Sequence, residues 1–469
     1  MTAGRAGSGY GVRVRRVALL LLVVPLVGLP LAAAEPAAGA AQPASTATGR
    51  SQAARPQTSA EITPPAVAPD ENAAFLYLEA FAVLEAEEVW NTNLAELAAE
   101  VCTSVTSPSS RRSLVALLEK VRIPEEGNRQ ATVGDACDEF SRRLESPAVK
   151  RALTLVEQGT GRPHCRFNVD YDKGAGTLLP HLSKLRHLGR FLAAVAGAAA
   201  ERGDAETAWN CVLWQLAIAA DLRAEPLLIS QLVRIALLNL AGAVLPEMAD
   251  AVPPDPETAR ALDRRLSSFD DPAAWVLAID GERLLLGEWV LAQPPATLQK
   301  LLEGNAKAMA VELTVEQMTA SRPAYRQAML RLAELVAQPY HEAKAPIDAL
   351  LAPIDRADPM LKLLLPALGS FCRKTAEAEA LVRVSRLGLR LKQQRAAQGA
   401  YPADLAALDL TDIPAGRQHD PFTGKPLCYR LEGHGFVLYS LGPDGADDSG
   451  KPRAGNAQTG FDIVWQATR

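Results

Sequence analysis

Two pairs of carboxylates have a spacing from which acid/base chemistry can be built: Asp170 with Asp172, flanking Tyr171, and Asp280 with Glu282, just before Arg283. Neighbouring carboxyls can divide proton donation and acceptance in a hydrolysis. A chain with 54 acidic residues also holds such pairs by chance, so neither marks an active site by itself. A third group, Ser230, Gln231 and Arg234, gathers on one side of an otherwise apolar helical stretch. A buried arginine needs a counter-charge, which Asp170, Asp172 or Glu225 could supply. Two readings stand: a buried ion pair between stacked helices, and a polar ligand pocket of Asp170, Asp172, Ser230, Gln231 and Arg234. His181 and His187 lie six apart on one helix, about 120° round its axis from each other, which suits them poorly as joint ligands of one metal.

The familiar catalytic signatures are absent. No G-x-S-x-G elbow, S-x-x-K, H-E-x-x-H or Walker A loop occurs, and no G-x-G-x-x-G follows a strand. Six cysteines, Cys102, Cys137, Cys165, Cys211, Cys372 and Cys428, form no C-x-x-C pair, which argues against a zinc ribbon or a thioredoxin-like site. Cys102 with Cys137 is the disulfide to test first; buried free thiols are the alternative.

The elements that must position these residues begin after an export segment. Arg5, Arg13, Arg15 and Arg16 precede an apolar run over 17–31, and Ala32, Ala33 and Ala34 follow. That order describes a secretory signal peptide over residues 1–34. The run is short for a bilayer span of roughly 20 residues, so membrane attachment would follow only if the segment stayed uncleaved. The destination is periplasmic, cell-surface or extracellular. Losing four arginines and no acid moves the formal charge from −5 to −9. An acidic chain without basic patches is not built for nucleic acid.

Residues 35–70 are rich in Ala, Pro, Ser and Thr and read as a disordered linker. Helical periodicity then runs over 72–94, 114–121 and 148–156. The centre is the most apolar part, with helices expected at 180–202, 205–222 and from 227 to 245, and Asp204 as an N-cap. Antiparallel helices of this length joined by short turns resemble a tetratricopeptide-like, helical-repeat-like stack, without a clean 34-residue period.

The character changes near residue 371. A helix over 375–398 carries Leu381, Val384, Leu387, Gly388 and Leu391 on one face. It leads to Tyr401-Pro402, then to Asp420-Pro421-Phe422 with Gly424 and Pro426, then to a hairpin of 428–431 and 436–440 turned by Gly433-His434-Gly435. A Gly- and Asp-rich loop, 441–450, and a closing strand at 462–465 complete it. This order resembles the globular part of type II secretion major pseudopilins, over about a fifth of the chain. The resemblance implies an α+β module and calcium in the acidic loop, with Asp444, Asp447, Asp448 and Asp462 and the Leu441 carbonyl as ligands. Calcium takes six to eight oxygens, which such a loop can supply; Lys451 and Arg453 could neutralise the same carboxylates without metal. The signal region lacks the acidic residue that follows the processing site of a pilus subunit, and some 300 residues of helices intervene, which separates this chain from pseudopilins proper. The whole layout is similar to a family of exported bacterial proteins, a likeness that carries architecture and no activity.

The expected architecture is therefore mainly α: a signal peptide (1–34), a linker (35–70), a helical domain (71–370) and a pseudopilin-like α+β module (371–469). Three functions fit it. The first is an exported, non-enzymatic scaffold that binds protein or peptide in a concave groove lined between Lys184 and Arg234. The second is a secretion-associated component acting through its tail. The third is a periplasmic hydrolase, which would need converging carboxylates in a deep pocket.

Overall fold

The structure, a computed structural model, describes residues 55–86, 144–302, 314–352, 361, 364–453 and 460–468. The export segment, residues 35–54 of the linker, the helix expected at 114–121, and Cys102 with Cys137 lie outside the described residues. The fold is mainly helical, with one small antiparallel sheet near the C-terminus.

A single turn, α1 (Ser59–Ile62), precedes α2 (Ala73–Ala86) and α3 (Pro147–Thr160), which pack together. Ser146 caps α3 by accepting from the Val149 N–H, and Pro147 occupies the first turn, where its missing donor is harmless. The centre holds α4 (Pro180–Glu201), α5 (Ala205–Asp221) and α6 (Leu228–Ala251). Asp204 caps α5 as expected, accepting from the Thr207 N–H at 3.1 Å. By length and composition α6 could cross a membrane, yet 67% of its apolar stretch is buried in the protein, against α4, α5 and α13 below. Gly189 allows the α4–α6 approach: a Cβ there would meet Leu237 at 2.3 Å.

Next come α7 (Pro256–Ser267) and α8 (Ala273–Gly281), then a π-helical turn at Glu282–Gly287 and α9 (Glu288–Leu291). Helices α10 (Pro295–Leu302), α11 (Val315–Leu335) and α12 (Tyr340–Leu351) follow. The long α13 (Pro366–Gln398) starts nine residues earlier than periodicity implied, because Pro366 opens it from the first turn. It ends at Gly399, left-handed at φ 81°.

The sheet orders β1 (Cys428–Glu432), β2 (Gly435–Ser440) and β3 (Ile463–Ala467), with Cys428 opposite Tyr439 and Leu438 opposite Trp465. The central strand β2 is buried throughout. The sheet packs on α13, where Gly388 leaves room for the Trp465 ring; a Cβ would lie 2.5 Å from it. The boundary expected at 370 falls inside α13, whose arginines tie sheet module to body. Arg386 grips Asp263 of α7 with two nitrogens, at 2.8 and 3.2 Å, and reaches Asp270 at 2.9 Å. Body and module share one apolar core.

Candidate functional site

Residues 55–70, within the stretch read as a linker, lie as a strap over the helical body. Composition missed it because few residues carry the attachment. Ile62 is buried, and the other anchors are main-chain carbonyls held by arginines of the body. Arg283 Nη2 donates to the Pro56 carbonyl at 2.7 Å, and Arg166 Nε donates to the Pro64 carbonyl at 2.8 Å. Charge assistance makes such bonds stronger than neutral ones. Arg55 Nη1 lies 3.4 Å from Asp280, which is itself 3.1 Å from Arg283. Asp280 thus serves as counter-ion to the arginine that holds the strap. Within the strap, Thr58 caps α1, and bonds from the Gln57 N–H and the Thr58 hydroxyl keep the Glu61 carboxyl below its usual range.

Past α1, Pro64, Pro65 and Val67 form one wall of a cleft of about 540 Å³. Its other walls are Cys165 and Arg166, the end of α5 and the start of α8 with Ala273, Ala274 and Leu277. Asp221 is the one carboxylate among these lining residues, and Tyr77 donates to its Oδ2 at 2.6 Å. Burial pushes Asp221 up to about 6, against the downward pull of that bond and of Arg265. The same burial, with the Asp221 charge beside them, raises Tyr77 and Cys165 well above their ordinary values. A thiol so raised is a poor nucleophile. The cleft thus sets mainly apolar walls beside one carboxyl acceptor, Asp221, raised to about 6.

The expected polar pocket is not assembled as one site. Ser230, Gln231 and Arg234 are buried on α6, but Asp170 and Asp172 are exposed on the Tyr171–Gly176 turn, where Asp170 pairs with Lys173. Gln231 donates to the Leu222 and Glu225 carbonyls. Arg234 finds aromatic faces in place of a carboxylate, with Phe269 at 4.2 Å and Trp275 at 4.7 Å. Lys184 and Arg234 stand on α4 and α6, which pack on each other, while the cleft described above lies at the strap. His181 and His187 occupy separate places. His181 is buried, stacked on Phe167 and 2.8 Å from Glu225, whereas His187 stacks on Phe81. An ionised Glu225 requires the His181 proton on Nε2.

Asp280 and Glu282 are also separated in role. Glu282 sits on the π-helical turn, and the Leu228 N–H at the start of α6, which has no side-chain cap, pulls its carboxyl down. Burial still raises it to about 8.

In the acidic loop, Asp444 accepts from the Ala446 and Gly460 N–H groups, and Asp447 from the Tyr439 hydroxyl and the Ser449 N–H. Asp462 accepts from Gly450 and Lys451 through Oδ2, while its Oδ1 and the Oδ2 of Asp448 are buried without a hydrogen bond. Burial and the Asp448 charge raise Asp462. Asp444 and Asp447 are engaged by those bonds. Among the described residues no group of three or more His, Cys, Asp or Glu side chains is arranged to hold a metal ion. Arg453 reaches Glu377 at 2.8 Å and covers Phe461. Cys165, Cys211, Cys372 and Cys428 are free thiols.

Sequence reasoning missed Arg166, Tyr77 and Asp221, because each meets its partner across more than a hundred positions of chain. No family model, curated protein or solved structure matches the chain.

Proposed function

We propose that this chain is an exported scaffold whose helical body, read as a helical-repeat-like stack, holds extended, proline-containing peptide segments. The observation that carries the reading is the strap: Arg283 and Arg166 grip the carbonyls of Pro56 and Pro64. Recognition through main-chain carbonyls is tolerant of side-chain identity, and proline suits it because it presents a carbonyl without a competing N–H. The cleft beside Pro64 and Pro65 extends the same track for a partner residue. The test is hydrogen exchange on the full chain with excess synthetic peptide of residues 55–67. Under this reading the peptide displaces the strap and the exchange of strap amides rises; unchanged exchange at saturating peptide argues against it.

A second reading, a secretion-associated component with a calcium-binding pseudopilin-like tail, is favoured by the free oxygens of Asp448 and Asp462. Calcium there would neutralise two carboxylates and draw the 441–450 loop to β3. It is tested by unfolding the full chain with and without millimolar calcium, in wild type and Asp462→Asn. The third reading, a periplasmic hydrolase, rests on Asp221 alone as a proton-transfer group in the cleft.

A further inference from the structure

Arg234 is 0% exposed on α6, and burial is the main cause that lowers its pKa, to about 9. One of its nitrogens, Nη2, donates to the Ser268 carbonyl at 3.2 Å. Nε and Nη1 are buried and have no hydrogen-bond acceptor. The charged side chains that act on it are Arg223 and Asp271, and those two pair with each other at the surface. Asp270, next in sequence to Asp271, is taken by Arg386. A guanidinium in a protein stays charged, and an interior charge without a counter-ion is strongly unfavourable. The faces of Phe269 and Trp275 offset part of that penalty, but faces do not satisfy N–H groups that point along the guanidinium plane.

Two neighbouring side chains also carry buried groups that can donate and have no partner. Trp275 Nε1 is fully buried and unpaired, although its ring stacks on Arg234. Ser230 Oγ, one helical turn before Arg234 on α6, is likewise buried without a partner. Indole N–H and guanidinium groups can only donate, and a hydroxyl can donate as well. Several unpaired donors and a buried positive charge without an ion pair describe the requirements of an anion. We propose that Arg234, with Trp275 Nε1 and Ser230 Oγ, forms an internal binding site for a small monovalent anion of the halide class. The anion supplies the counter-charge that neither Asp170 nor Asp172 provides, and it ties α6 to α8 at the centre of the body.

The probe is halide alone. Crystals of the full chain soaked in sodium bromide should give an anomalous peak within hydrogen-bond reach of Arg234 Nη1. In solution, replacing sodium gluconate by sodium chloride at constant ionic strength should raise the unfolding midpoint by about 2–4 °C, through linkage to anion binding. Arg234→Met should abolish both effects, and Arg234→Lys should keep a weakened halide response. Ordinary density at the site without a bromide signal would mean a water, and equal midpoints in chloride and gluconate would mean no linked anion; either result overturns the assignment. The bromide measurement uses the wild-type chain and so does not depend on the folding of either variant.

Discussion

Arg283 joins the helical body to a residue 227 positions earlier in the chain, donating from Nη2 to the carbonyl oxygen of Pro56 at 2.7 Å. Its other partner, Asp280, is almost wholly buried. Arg283→Met removes the strap's anchor and leaves Asp280 with Arg55 alone, at 3.4 Å. Breaking one side of a buried pair costs about 3–5 kcal/mol, so the melting temperature should fall sharply. Arg55→Ala, at a partly exposed contact, should cost less than about 1 kcal/mol. Comparing the two by urea unfolding separates the anchor from its accessory.

Glu282 carries a pH dependence of defined sign. Burial raises its carboxyl from an ordinary 4.5 to about 8, so the folded state keeps a proton that the unfolded chain releases. Its contribution is complete below pH 4.5 and is lost as pH climbs to about 8, on the order of 5 kcal/mol over that window. Glu282→Gln should flatten this slope, read as the difference between the variant's and the wild type's stability across pH 5 to 8.

Asp221 acts in the same direction over a lower window, from its ordinary 3.8 to about 6. Asp221→Asn keeps an acceptor for the Tyr77 hydroxyl while removing the charge. The difference in stability between variant and wild type should change between pH 4 and 6 and be constant above pH 7. An unchanged difference would mean that the cleft is wetter than its geometry implies.

Asp420 organises the C-terminal module: its carboxylate accepts from the Ser440 hydroxyl and from the Leu441 and Phe422 N–H groups, each at 2.9 Å. Asp420→Ala leaves these donors unpaired, for a loss of about 2–5 kcal/mol. Gly388→Ala should cost about 1–3 kcal/mol, because the added methyl meets Trp465 and overpacking outweighs the gain in helix propensity. Both should raise hydrogen exchange in β2 more than in α4.

The elements were legible where local rules governed them. The Asp204 cap, the helices over the centre and the hairpin of β1 and β2 follow from periodicity and turn residues within a few positions of each other. The π-helical turn at 282–287 was not, because its cause is tertiary: Gly281 lies where a Cβ would strike the Pro226 carbonyl, and Gly287 lies against Tyr325. The strap was hidden for a related reason. Its main-chain carbonyls carry most of the attachment, and composition reports side chains. Arg234 is legible as a buried cation needing a partner, but the aromatic faces that flank it come from the loop after α7 and from α8. Nothing within its own helix announced them.

The most direct test of peptide capture is a titration in trans. A chain lacking residues 55–67 is added to a fluorescently labelled peptide of those residues, and binding is followed by anisotropy, with Arg283→Met in the same shortened chain as the control. Saturable binding that Arg283→Met weakens at least about tenfold, a loss of about 1.4 kcal/mol, is the predicted result. No saturable binding by a shortened chain that remains folded, or binding indifferent to Arg283, would contradict the account.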